Sequence, residues 1–318
     1  MTVIQGETFQ RLGDVFLVDS QHDGRTGTVG VYLVPIGGGE FVLVETGPGS
    51  TLDTVIAGIG DAGFELEALH AILVTHIHLD HAGAAGALVS MTDAEVIVHE
   101  RGGSHLNNPA KLLASAARIY GEQMNRLWGP MISVPKDRIQ TVAGGEILQL
   151  GQRQATVIYS PGHASHHVAY LLDDGSLFCG DALGIKLSGF PVTRPALPPP
   201  EVDIDLWDIT LDKILSCSPK RFLLTHFGQV NDVQQHLKSV KEQNHLWAQE
   251  ILSGIKAGET ELQLQRRVCD LSDRDLTQAG ATSTLAAKYH QSSNAEMTVM
   301  GLSRYWRKRC PKLGDGGS

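Results

Sequence analysis

Residues 75–81 read Thr-His-Ile-His-Leu-Asp-His and close the apolar run AILVT at 71–75. Four side chains able to bind metal, His76, His78, Asp80 and His81, fall within six residues. Burying imidazole and carboxylate without partners is costly, whereas both suit a borderline-soft divalent cation. His76 and His78 stand two apart at a strand end, so their rings can turn toward one point. Asp80 and His81 run on into the next turn and can face a second point. The spacing predicts two adjacent metals.

Two metals need further ligands, and three later strand ends offer them. The run 154–160 leads into Ser160-Pro161-Gly162-His163, the run 176–179 into Gly180-Asp181, and the run 221–225 into His226-Phe227-Gly228. Each candidate has a turn-forming or small residue beside it, which lets the backbone bend sharply at the site. Further strands are expected at 14–19, 29–35, 40–45, 95–98, 146–150 and 168–172, from their Val, Leu, Phe and Tyr content and glycine punctuation. Helices are expected at 50–62, 82–90 and 205–217.

Two segments break this rhythm. Within 101–135, Leu112, Leu113, Ala116, Ile119, Tyr120, Met124, Leu127 and Trp128 recur at helical spacing. This predicts a helix packed on its own core, with a lid or dimer face as the sharper alternative. From 231 to 310 the pattern is mainly helical. The domain reading is therefore an α/β body over 1–230, with a helical insert at about 101–135, and a helical C-terminal extension over 231–318. The tail GDGGS is expected to be disordered.

Composition narrows the function classes. The chain has 318 residues, 42% hydrophobic and 19% charged, which excludes collagen, coiled coil and wholesale disorder. No apolar run approaches the roughly 18 residues of a membrane span, and the start, MTVIQGETFQ, has no secretory pattern. Four scattered cysteines without a CxxC pair suit a reducing compartment, so a cytoplasmic location is expected. A net charge of −9 gives no general attraction to nucleic acid or an anionic membrane. The expected partner is a small-molecule substrate. The apolar helix in 110–128 and the C-terminal helices offer faces for a homodimer.

The set THIHLDH, SPGH, GDAL and THFG, in this order, resembles the metallo-β-lactamase-fold hydrolase superfamily over roughly residues 14–228. The resemblance implies a four-layered αββα sandwich. It implies that His76, His78 and His163 hold one metal, that Asp80, His81 and His226 hold the second, and that Asp181 and a hydroxide bridge them. Zn²⁺ is the first expectation, with Mn²⁺ or Fe accepted by the same donors. A water held by such cations can ionise near pH 7, against 15.7 in bulk. Asp80 is then placed to orient the hydroxide or pass its proton to the leaving group.

Within the superfamily, Asp181 and the lack of a signal sequence speak against secreted β-lactamases. His78 speaks against flavodiiron reductases, and the absence of a further large domain against the nucleases. VHERGGSHL, GHASHH, the proline-rich loop after GDA and the stretch LDKI resemble broad-specificity members acting on phosphoesters, phosphotriesters and lactones. The expected activity is hydrolysis of such esters. A glyoxalase II-like thioesterase and an iron-dependent persulfide dioxygenase are the alternatives within the fold, and a metal-loaded binding protein is the alternative outside catalysis. His105, Phe190 and Arg194 are candidate substrate contacts. His99 is expected to be structural.

Overall fold

The computed structural model describes residues 9–187 and 189–311. The expected disorder of the GDGGS tail concerns residues outside this range. The chain forms two compact units: one comprises residues up to 159, 166–180 and 219–231, the other 160–165, 181–218 and 232 onward.

Among the described residues, the first unit holds all the strands. Seven form one sheet in chain order: β1 (Phe9–Leu12), β2 (Val15–Asp19), β3 (Gly30–Gly37), β4 (Glu40–Val44), β5 (Leu69–Leu73), β6 (Glu95–His99) and β7 (Ile139–Val142). The first four are antiparallel neighbours, whereas β4 to β7 run parallel. The second sheet contains β8 (Ile147–Leu150), β9 (Arg153–Tyr159), β10 (Val168–Leu172), β11 (Ser176–Phe178), β12 (Arg221–Leu224) and β13 (Gly228–Val230). Its order is β13-β12-β11-β10-β9-β8, with only the β11–β12 pair parallel.

Alternation along the strands gives each sheet an inward face. Leu17, Tyr32, Val34, Val42, Val44 and Leu73 of the first sheet share one buried cluster with Val157, Val168, Tyr170, Phe178 and Leu223 of the second. The other face of the first sheet buries Val18, Val31, Leu33, Leu43, Ile72 and Val96 against helices α1 (Leu52–Asp61), α2 (Leu79–Ala82), α3 (Ala85–Met91) and α4 (Glu100–Asn107). Strands buried on both faces read as continuous apolar runs, as AILVT does.

The insert continues with α5 (Ala110–Tyr120) and α6 (Met124–Leu127). It builds a small cluster of its own, as its periodicity predicts, but that cluster includes Leu79 from the histidine-rich motif. Trp128 stacks on His22 with ring centroids 5.0 Å apart. The His22 ring also bonds the Leu127 carbonyl, Nε2 to O 2.8 Å.

The second unit is helical: α7 (Ile204–Ser216), α8 (Val233–Lys256), α9 (Glu261–Gln278), α10 (Ser283–Ser292) and α11 (Ala295–Arg309). Asp203, Asp232, Thr260, Thr282 and Asn294 cap their first turns with side-chain oxygens, satisfying donors that a helix start leaves open. Among the described residues no helix is long and apolar enough to cross a membrane.

Candidate metal centre

In the first unit the candidate ligands follow the carboxyl ends of strands, the usual place for a site in an α/β sheet. His76 and His78 follow β5, Asp80 and His81 lie on α2, and His226 follows β12. Ligand atoms of Asp80, His81 and His226 all lie within 4.8 Å of one another. His76 and His81 pack with ring centroids 4.0 Å apart, and His76 and His78 at 4.5 Å.

Hydrogen bonds fix the orientation of these rings. His226 Nδ1 donates to the Thr28 carbonyl at 2.7 Å, which turns Nε2 to Asp80 Oδ2 at 3.5 Å. His81 Nδ1 donates to Glu45 Oε1 at 2.9 Å, which turns Nε2 to the same Asp80 oxygen at 3.7 Å. Thr75 Oγ1 gives its proton to Glu45 Oε1 at 2.6 Å and so accepts from His76 Nδ1 at 3.0 Å. His76 Nε2 then lies 2.9 Å from His78 Nδ1.

The second unit carries the other two candidates. His163 Nδ1 donates to the Ala196 carbonyl at 2.9 Å, and its Nε2 lies 3.4 Å from Asp181 Oδ2. Both residues are buried.

The same pattern thus occurs three times: Nδ1–H is given to a fixed acceptor, and Nε2 is aimed at a carboxylate. This is the usual outer-shell arrangement of metal-ligating histidine. An Nε2 without its proton sets a lone pair against the carboxylate oxygen, which is repulsive. A cation held there would convert the repulsion into coordination. The donor chemistry, imidazole with carboxylate and no thiolate, fits a divalent ion such as Zn²⁺.

Glu45 organises the candidate ligands of the first unit, although no motif marks it. It is fully buried and sits at φ 68°, in the left-handed region that side chains seldom adopt. It accepts from Thr75 N at 3.1 Å and Thr225 Oγ1 at 3.2 Å, in addition to Thr75 Oγ1 and His81. One carboxylate therefore ties the ends of β4, β5 and β12 to the start of α2. The only sequence hint is an acid at the end of a buried strand, just before the turn Thr46-Gly47-Pro48-Gly49. Gly180, at φ 49°, closes the end of β11: a Cβ there would meet Thr75 Oγ1 at 2.3 Å and His167 Nε2 at 2.6 Å.

The candidate substrate contacts fare differently. Arg194 is only 1% exposed, and its guanidinium bonds Ser272 O at 2.9 Å and Asp275 Oδ2 at 3.1 Å and lies over the Trp247 ring. A buried guanidinium needs such partners, so Arg194 joins the proline-rich loop to α9. Phe190 is half-buried beside Tyr289, with ring centroids 5.9 Å apart. His105 is half-buried on α4. His99 stacks on Tyr159 at 4.8 Å and accepts from Arg101 N, and burial lowers its pKa. His166, outside the ligand set, lies edge-on to His78 with centroids 5.6 Å apart.

Comparison with known proteins gives the chain a family. The sequence profile of the metallo-beta-lactamase superfamily matches residues 24–226, a span that contains all seven candidate ligands. The chain belongs to that superfamily. It is 31% identical over 242 residues to the metallo-beta-lactamase fold-containing protein ST1585 of Sulfurisphaera tokodaii, covering 72% of this chain and 91% of that protein. It is 30% identical over 173 residues to a hydroxyacylglutathione hydrolase of Shewanella pealeana, covering 53% of this chain and 48% of that enzyme. The chain thus spans about half the length of that relative. In fold it resembles the metallo-beta-lactamase family protein TTHA1429 from Thermus thermophilus, with a TM-score of 0.66 over 94% of both chains at 22% identity. The fold is the α/β sandwich of this superfamily, with a helical C-terminal region.

Proposed function

We propose that this chain is a dinuclear metal hydrolase of broad specificity, acting on ester, lactone or phosphoester bonds, phosphotriesters included. The carrying observation is the thrice-repeated imidazole that gives away Nδ1–H and aims Nε2 at a carboxylate. In this reading His76, His78 and His163 hold one cation, Asp80, His81 and His226 the other, and Asp181 serves both. When bound, the two cations supply Lewis acidity and a water acidic enough to ionise near neutral pH.

The chain's own residues do the rest. Glu45 and the Thr28 carbonyl hold His81 and His226 in the Nδ1–H tautomer, so Nε2 stays available to a ligand. The Asp80 side chain is 22% exposed, whereas His81 beside it is sealed. Asp80 can therefore meet solvent and substrate, take a proton at its carboxylate and return it to the leaving oxygen. The imidazoles of His76, His81 and His226 are buried, which keeps water away from their rings.

Metal analysis combined with a substrate panel tests the proposal. Two divalent ions per chain, and turnover of p-nitrophenyl esters, bis-p-nitrophenyl phosphate, paraoxon or acyl lactones that chelation abolishes and zinc restores, are expected. Metals in place with no turnover on the whole panel overturns it. A thioesterase is the second reading, favoured by the likeness to hydroxyacylglutathione hydrolases. It would show as a kcat/KM on a hydroxyacylglutathione thioester well above every oxygen ester. A single iron and oxygen uptake with glutathione persulfide would replace both readings with a dioxygenase.

A further inference from the structure

Within the second unit, three consecutive carbonyls beginning at Asp181 are each held by a different donor. Asp181 O accepts from Gly184 N at 3.0 Å. Ala182 O accepts from Trp207 Nε1 on α7 at 2.6 Å. Leu183 O accepts from His236 Nε2 on α8 at 3.0 Å. The first bond is an ordinary turn. The other two come from side chains on separate helices, both buried.

Trp207 also grips the turn that carries His163. A Cβ added to Gly162, which sits at φ 135°, would meet Trp207 Cα at 2.6 Å and Cβ at 2.5 Å. The indole stands edge-on to the His163 ring, with centroids 6.0 Å apart. The same first turns of α7 complete the grip. Asp203 N donates to Gly162 O at 2.8 Å, and Thr210 Oγ1 to Pro161 O at 2.5 Å.

We infer that Trp207 and His236 are positioning residues that hold the Asp181 turn, and through Trp207 the His163 turn, in the geometry that receives metal. A buried indole or imidazole always seeks an acceptor. Here both find theirs on the two peptide carbonyls directly after Asp181. A carboxylate at a chain bend has a soft backbone on each side; pinning the next two carbonyls removes that freedom before a cation arrives. The helical extension thereby contributes to the centre through His236 and is more than an appendage. The inference rests on the metal reading above.

Calorimetric zinc titration of the metal-free protein tests it, with thermal unfolding of the same metal-free samples run in parallel. Trp207→Phe keeps a ring and removes the N–H; His236→Leu removes the imidazole donor; His236→Gln keeps an N–H at a similar reach. Loss of such supports typically lowers metal affinity by about 10–100-fold. Weakening of that order is expected for Trp207→Phe and His236→Leu, with His236→Gln recovering most of the loss.

Zinc binding as tight as wild type in both Trp207→Phe and His236→Leu overturns the inference. Equal weakening in His236→Leu and His236→Gln also overturns it, because the hydrogen bond is then not the cause. Should Trp207→Phe fail to fold, the comparison of the two His236 variants decides. A wild-type chain that takes up no zinc overturns the metal reading itself, which separates that failure from this one.

Discussion

Asp80→Asn keeps the size of the side chain and removes its charge and its ability to take a proton. If the carboxylate shuttles a proton, kcat should fall by about 10²–10⁴-fold, the usual contribution of general acid–base catalysis, in samples shown by metal analysis to be fully loaded. Full activity at full occupancy would remove Asp80 from that role. Glu45 invites a different measurement. Its carboxylate accepts from Thr75 twice, from Thr225 and from His81, and each buried group left unsatisfied costs about 1–3 kcal/mol. Glu45→Ala should therefore lower the stability of even the metal-free protein by several kcal/mol, read from urea unfolding. A loss under about 1 kcal/mol would mean that water replaces the carboxylate.

At the scale of elements, the insert and the edge strands are informative. The insert's cluster of Leu79, Ala116 and Trp128, with Leu112, Leu113, Tyr120, Met124 and Leu127 around it, joins α5 and α6 to the motif helix α2. Truncating a buried tryptophan costs about 3–5 kcal/mol. In a satellite cluster this cost should appear as local opening. Trp128→Ala should therefore speed amide hydrogen exchange over 110–127 well beyond that of β3 and β4. Uniform protection would show that the insert does not depend on its own core. The three strands that the sequence reading passes over, β1, β7 and β13, are each a sheet edge of three or four residues. An edge strand needs little apolar alternation, because one side of its ladder is unpaired. The predicted helix 82–90 begins earlier, as α2 from Leu79, and breaks before α3 at Ala85. The strand expected over 71–75 is β5, Leu69–Leu73, because the Thr75 N–H is taken by Glu45 instead of a neighbouring strand.

Across the molecule, pH should act through buried histidine. Burial, with the Lys186 charge, lowers the His236 pKa to about 4, although its bond to Leu183 O opposes the shift. In the unfolded chain the same group titrates near 6.5. Below that pH the unfolded chain takes up a proton that the fold refuses. The His236 contribution is thus intact above about pH 6.5, declines toward pH 4 and levels off below it. The shift corresponds to about 3 kcal/mol. Chemical unfolding between pH 7 and 4 should show a steeper decline in wild type than in His236→Gln; parallel curves would mean that the imidazole charges without cost in the fold. His99, whose pKa burial also lowers, adds to the decline with the same sign.

The sequence alone determined the types of the candidate ligands, their order and the strand ends that bear them, because chelating side chains next to turn residues leave a local signature. It also determined the α/β class and the helical C-terminal region, since hydrophobic period is a property of neighbouring residues. Only the tertiary structure decided that Glu45 ties three strand ends together, that Arg194 is spent inside the second unit, and that Trp207 and His236 grip the carbonyls after Asp181. Those roles depend on contacts between residues 25–180 positions apart, and sequence spacing says nothing about which distant backbone carbonyl or carboxylate a buried donor will meet.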